Sequence, residues 1–179
     1  MHKQSAVRLG VIAAALCFVA VQCRAEKTKA SFESGDFAGW DTQGKGWSVY
    51  DKDGSDGEKC AMCVVEKGEA PGLKALARKI NNADVGWLIK VSFDIAGKAK
   101  DKSSKATVAV MFLDKEGRVI REVKKMVTEP NAKFQKFSLP ETIVPSGTAE
   151  TYLMLVVETV KPATAKEWWR FDNIGIGVS

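Results

Sequence analysis

Through most of the chain apolar residues recur at every second position. Val91, Phe93 and Ile95 form one such run; Val108, Val110 and Phe112 form another; Tyr152, Met154 and Val156 form a third. A period of two places successive side chains on opposite faces of an extended backbone, so each run predicts a half-buried strand. Further strands are predicted at residues 47–50, 59–65, 73–80, 119–127, 134–139 and 168–176. Turn chemistry falls between them at Asp53-Gly54, Asp56-Gly57, Pro71-Gly72, Glu116-Gly117 and Pro145-Ser146-Gly147. The Lys- and Ser-rich stretch 97–106 reads as a solvated loop. About nine or ten strands with no convincing long helix predict an all-β fold, an antiparallel two-sheet β-sandwich.

The first 25 residues follow a different pattern. His2, Lys3 and Arg8 make a basic start, an apolar stretch runs from Leu9 to Val21, and Ala25 precedes Glu26 as a small residue at a cut site. This predicts a secretory signal peptide at 1–25 and a domain at 26–179. The apolar stretch is about 13 residues, short of the roughly 20 that a membrane-spanning helix needs. A secreted or periplasmic protein is therefore expected, with no membrane span. Lipid attachment at Cys23 is the alternative, although Val21 and Gln22 match such a site poorly.

Removing that segment changes the chemistry open to the chain. Lys3, Arg8 and Arg24 leave, so the 27 basic residues fall by three against 22 acidic ones and the net charge drops from +5 to +2. Near-neutral charge with Lys and Glu interspersed argues against nucleic acid as a partner. The one histidine, His2, leaves as well. Histidine triads, histidine proton shuttles and His-ligated zinc are excluded with it. Cys60 and Cys63 have the spacing of redox and zinc motifs, but three residues of strand cover about 10 Å. A disulfide tolerates no more than roughly 7 Å between Cα atoms. They are expected to be buried small side chains on opposite faces of a sheet.

The two ends of this domain carry matching motifs: Ser31-Phe32-Glu33-Ser34-Gly35-Asp36-Phe37-Ala38-Gly39-Trp40, and Arg170-Phe171-Asp172-Asn173-Ile174. With the intervening strands, Asp114 and Gly117 in a hairpin turn, and Phe134-Gln135-Lys136-Phe137, the chain resembles the jelly-roll carbohydrate-binding modules of the galactose-binding-domain-like superfamily. It departs from them at Ile89, where those modules commonly have Tyr. The resemblance implies that the first and last strands lie together. It also implies a structural calcium held by the Glu33 and Asp172 side chains, with the Ser31 and Lys59 carbonyls as further ligands. The alternative is that Glu33 accepts backbone hydrogen bonds in its turn and that Asp172 pairs with a cation such as Arg170.

For function, the resemblance implies a non-catalytic binder of polysaccharide or oligosaccharide that stacks sugar rings on aromatic side chains. Trp40 and Trp169 are expected in the core, which leaves Trp47, Tyr50, Trp87 and Trp168 as candidates, with Lys90, Asp94, Gln135 and Arg170 as polar helpers. Two alternatives share this fold: a module that binds a cell-envelope protein, and a glycan-active hydrolase or lyase using carboxylates.

Overall fold

A computed structural model describes residues 26–179. The signal segment and Cys23 lie outside the described residues. Twelve strands follow one another with no helix between them. The first six are β1 (Glu26–Ala30), β2 (Asp41–Gln43), β3 (Trp47–Tyr50), β4 (Cys60–Val65), β5 (Gly72–Lys79) and β6 (Leu88–Lys98). The rest are β7 (Ser104–Leu113), β8 (Val119–Val127), β9 (Gln135–Ser138), β10 (Thr142–Ile143), β11 (Glu150–Thr159) and β12 (Glu167–Val178). The short strands β1, β2 and β10 escape the sequence reading because a strand of two to five residues shows too little alternation to register.

The strands form two antiparallel sheets. One has seven strands in the order β10-β6-β12-β4-β3, with β1 also paired to β12 and β9 to β6. The other has five, in the order β2-β5-β11-β7-β8. The two ends of the domain meet, with Ala30 opposite Ile174, but the first strand lies just before the motif at residues 31–40 expected to form it, and that motif is a turn.

One core fills the space between the sheets. The seven-stranded sheet sends in Ala61, Cys63 and Val65 from β4, Val91, Phe93 and Ile95 from β6, and Trp169, Phe171, Ile174 and Ile176 from β12. The five-stranded sheet answers with Leu76, Val108, Val110, Phe112, Leu153, Leu155 and Val157. Each Val, Leu, Ile or Phe side chain among them contributes about 1.5–3 kcal/mol by leaving water. On β11 the inward set is therefore Leu153, Leu155 and Val157, while Tyr152, Met154 and Val156 are half-buried and face outward. Both sets are apolar, so the alternation alone did not say which one faces in.

The stretch 97–106 is also more ordered than its composition suggests. Strand β6 continues to Lys98, β7 starts at Ser104, and Ser103 and Ser104 are buried. They are there because Glu167 is fully buried and needs donors: Ser103 Oγ donates to Oε1 at 2.7 Å and Ser104 Oγ to Oε2 at 2.5 Å. Trp169 Nε1 in turn donates to Ser104 Oγ at 2.8 Å. This buried network ties β12 to β7, one strand from each sheet. Cys60 and Cys63 are buried and free of any disulfide, on opposite faces of β4. Burial pushes both thiols up to about 12, so neither is a thiolate at neutral pH.

Gly97 sits against the face of the Trp169 ring. A Cβ built there would stand 2.5 Å from Cε3 of the indole. Gly97→Ala is therefore expected to overpack the core and lower the unfolding free energy by about 1–3 kcal/mol. Urea unfolding of the wild type and the variant measures this, and equal midpoints would refute it.

Candidate functional site

Alternation along β12 sends Trp169 and Phe171 into the core and leaves Trp168, Arg170 and Asp172 on the outer face of the seven-stranded sheet. Arg170 organises that face. Its guanidinium carbon lies 4.4 Å from the ring centroid of Trp168, 5.2 Å from that of Phe134 and 5.5 Å from that of Tyr50. Its Nη1 donates to Asp53 Oδ2 at 2.5 Å and its Nη2 to the Ala132 carbonyl at 3.1 Å. The Arg170 side chain is 7% exposed and that of Asp53 60%. A planar cation held by hydrogen bonds against three aromatic faces fixes the rotamers of the rings around it. Between these groups lies a pocket of about 280 Å³ lined by Tyr50, Asp53, Met62, Trp168 and Arg170.

Of the four aromatics singled out from the sequence, the fold brings Tyr50 and Trp168 together here. Trp47 and Trp87 are elsewhere, packed against the core, and Trp47 lies 5.8 Å from Phe171, ring centroid to centroid. Arg170, named as a polar helper, is at the centre of the site. Asp94 lies on the same face but is buried, Gln135 is exposed on β9, and Lys90 is ion-paired to Glu141 at 2.7 Å. Asp53, Met62 and Phe134 were missed. Asp53 reads locally as a turn residue and Phe134 as the start of a strand, and nothing local points either at Arg170.

Three of the four residues expected around calcium, Glu33, Lys59 and Asp172, converge on one loop, residues 51–59. From one side Glu33 Oε1 accepts the Lys59 backbone N–H at 2.9 Å, and Lys59 Nζ donates to the Glu33 carbonyl at 3.0 Å. From the other, Asp172 Oδ2 accepts the N–H groups of Ser55 and Asp56 at 2.7 and 3.0 Å, and the Ser55 hydroxyl at 3.2 Å. Arg170 pairs with Asp53, not with Asp172. Asp172 is fully buried, yet its Oδ1 accepts no hydrogen bond, and neither does Oδ1 of its cross-strand partner Asp94. A buried carboxylate oxygen without a donor is costly, and it is a hard ligand of the kind calcium takes. The Asp172 side thus fits a cation. Among the described residues no group of three or more His, Cys, Asp and Glu side chains is arranged to hold a metal, so beyond two carboxylates the ligands would be neutral oxygens, from the backbone or from hydroxyls such as that of Ser55.

No protein-family model matches this chain, and no curated protein does. Solved structures do match its fold. The CBM22-1 xylan-binding domain of Xyn10C from Paenibacillus barcinonensis is similar at a TM-score of 0.60 and 16% identity, over 84% of this chain and 92% of that one. TmCBM61, solved in complex with β-1,4-galactotriose, gives 0.57 and 18% over 82% and 92%. The enzymatically active domain of tailspike protein 4 from bacteriophage CBA120 gives 0.65 and 13%, over 83% of this chain but only 20% of that one. The chain spans a fifth of that tailspike domain's length. The fold is therefore the jelly-roll β-sandwich of carbohydrate-binding modules, a fold that also occurs within larger enzymes.

Arg170 and Asp53 should behave differently when replaced. Asp53→Asn keeps an acceptor oxygen for Arg170 Nη1 and removes only the charge of a largely exposed carboxylate, and should cost less than about 1 kcal/mol. Arg170→Ala removes the group on which three rings rest and should cost about 2–3 kcal/mol. Denaturant melts compare the two, and equal losses would refute this account of the site.

Proposed function

We propose that this protein is a non-catalytic carbohydrate-binding module, secreted or periplasmic, that holds a sugar ring in the Tyr50–Trp168 pocket. The observation that carries this is the pocket itself: two aromatic walls held by a buried arginine, with the Asp53 carboxylate at the rim to accept sugar hydroxyls. Aromatic faces stack on the apolar C–H face of a pyranose, and a carboxylate accepts its hydroxyl protons. The fold shared with xylan-binding and galactotriose-binding modules supports the same substrate class. The non-catalytic reading is supported by the lining, in which Asp53 is the one carboxylate. Glycoside hydrolysis ordinarily uses two. No helix among the described residues is long and apolar enough to cross a membrane.

A second reading, a protein-binding module on the same fold, is favoured by one feature. The outer face of the five-stranded sheet carries Met111, Met126, Met154 and Val156 around Ala75 and Ala109, interleaved with Glu122, Lys124 and Glu158, a mixed apolar and charged surface suited to protein contacts. Mutating each face separately tells the readings apart. On the carbohydrate reading, Trp168→Ala should weaken oligosaccharide binding by roughly tenfold to a hundredfold, the worth of a stacking contact on the order of 1 to 3 kcal/mol. Stability should fall by no more than about 1 kcal/mol, the worth of its contact with Arg170. Calorimetry with xylo- and galacto-oligosaccharides measures the first and thermal melts the second. Binding unaffected by Trp168→Ala but lost in Met154→Lys would reverse the choice.

We also propose that a structural calcium reinforces the join between the chain ends, held by Asp172 with Glu33 and the Ser31 and Lys59 carbonyls as its companions. Calcium supplies charge here, not chemistry: it would compensate the buried carboxylate oxygen of Asp172. A cation bound by the native state alone stabilises it by about 2.7 kcal/mol at a hundredfold excess over Kd. Chelation should lower the melting temperature of the wild type and leave that of Asp172→Asn unchanged. A wild-type melt indifferent to chelator would dispose of the ion.

A further inference from the structure

A second groove on the outer face of the seven-stranded sheet is larger than the aromatic pocket. It has a volume of about 520 Å³ and lies over the C-terminal half of β12, between β1 and β6. Register sets its composition. Lys27 of β1 and Lys90 of β6 both stand opposite Gly177, and Lys29 and Ser92 both stand opposite Gly175. Ser92 in turn faces Ser138 of β9. Cross-strand partners share a face, so two glycines form the floor while lysines and serines form the walls. Glu141 closes one side, ion-paired to Lys90, and Lys29 pairs with Asp56. Lys27 has no such acidic partner among the described residues.

We propose that this groove is a second sugar subsite and that it selects an acidic sugar, one uronic acid residue of an oligosaccharide. The proposal rests on the reading of the protein as a carbohydrate binder and adds a ligand class to it. The floor without side chains lets a ring approach the backbone closely. Lys27 supplies a cation for one carboxylate. Ser92, Ser138 and Glu141 match the hydroxyls of the same ring, since serines donate or accept and a carboxylate accepts. Glu141 is also what argues against a compact dianion such as phosphate: a second negative charge would face it across the groove. At about 3.3 Å per residue, Gly177 lies roughly 30 Å along β12 from Trp168, so the two subsites take different sugar residues.

The test uses the whole protein, titrated calorimetrically with an oligogalacturonate and with a neutral galacto-oligosaccharide of equal length. Two variants close the groove in different ways. Lys27→Glu reverses the cation, while Gly177→Leu fills the floor at a site where a new Cβ meets only Lys90, at ordinary contact distance of 3.8 Å. The acidic oligomer should bind about tenfold more tightly than the neutral one and weaken as salt is raised. Both variants should lose that advantage while keeping the wild-type melting temperature, and Trp168→Ala should retain it. Equal affinity for acidic and neutral oligomers would overturn the proposal. So would inorganic phosphate competing as effectively as the oligomer, or a loss in Trp168→Ala without one in Gly177→Leu. If acidic binding survives Trp168→Ala while no neutral glycan binds at all, the aromatic pocket fails as a sugar site and the groove stands.

Discussion

Both candidate sites on the seven-stranded sheet depend on the pairing of β12 on both of its edges. Strand β6 runs along one edge for most of its length, and β4 and then β1 take the other. A strand hydrogen-bonded on both sides cannot slip by one residue without exchanging its two faces. Trp169 and Phe171 are therefore committed to the core, and Trp168 and Arg170 to the outer surface. The buried network of Glu167, Ser103, Ser104 and Trp169 secures the same choice, because exposing Trp169 would also strand Glu167 without its donors.

A single irregularity divides the outer face into two regions. Between Asp172 and Gly175 three steps of β12 match two of β6, from Asp94 to Ser92, so β12 carries one extra residue there. Asn173 takes a left-handed backbone at φ 49°, which asparagine tolerates better than most residues. The bulge resets the alternation. Odd-numbered Trp169 and Phe171 point inward before it, and even-numbered Ile174, Ile176 and Val178 after it. Without the extra residue Gly175 and Gly177 would face the core and leave voids, and the isoleucines would fill the groove instead. The bulge thus gives an aromatic, arginine-centred surface at one end and a glycine-floored, lysine-walled one at the other.

At the aromatic end the organising force is electrostatic as much as hydrophobic. A guanidinium sheltered from solvent gains from each ring face it covers, and Asp53 and the Ala132 carbonyl accept hydrogen bonds from its Nη1 and Nη2, while Nε has no acceptor. Desolvating the cation makes it costly to leave without partners, so the loops carrying Asp53 and Ala132 are drawn in over the sheet. Rings held in place before a ligand arrives lose little further freedom when it binds.

How far the chain could be read in advance varies with the range of the interactions involved. Period-two alternation and the Gly and Pro punctuation are local signals, so the sandwich, most strand positions, the core placement of Trp169, and the burial of Cys60 and Cys63 were legible in the residues themselves, while the core placement of Trp40 came from the motif it closes. Tyr50 and Trp168 could be named as candidates, and Arg170 as a polar helper, from the resemblance to sugar-binding modules once Trp40 and Trp169 were assigned to the core. Tertiary structure alone decided which candidates share a surface. It sent Trp47 and Trp87 against the core and brought Asp53, Met62 and Phe134 from distant parts of the chain to Arg170. It also chose the inward face of β11, where apolar residues on both faces leave the alternation silent. Lys27, Lys90 and the glycines meet only through strand register, and register is a long-range property set by the packing of two sheets. The amino-acid sequence by itself determined the architecture through local periodicity, whereas the site belongs to contacts between residues far apart in the chain, which periodicity cannot encode.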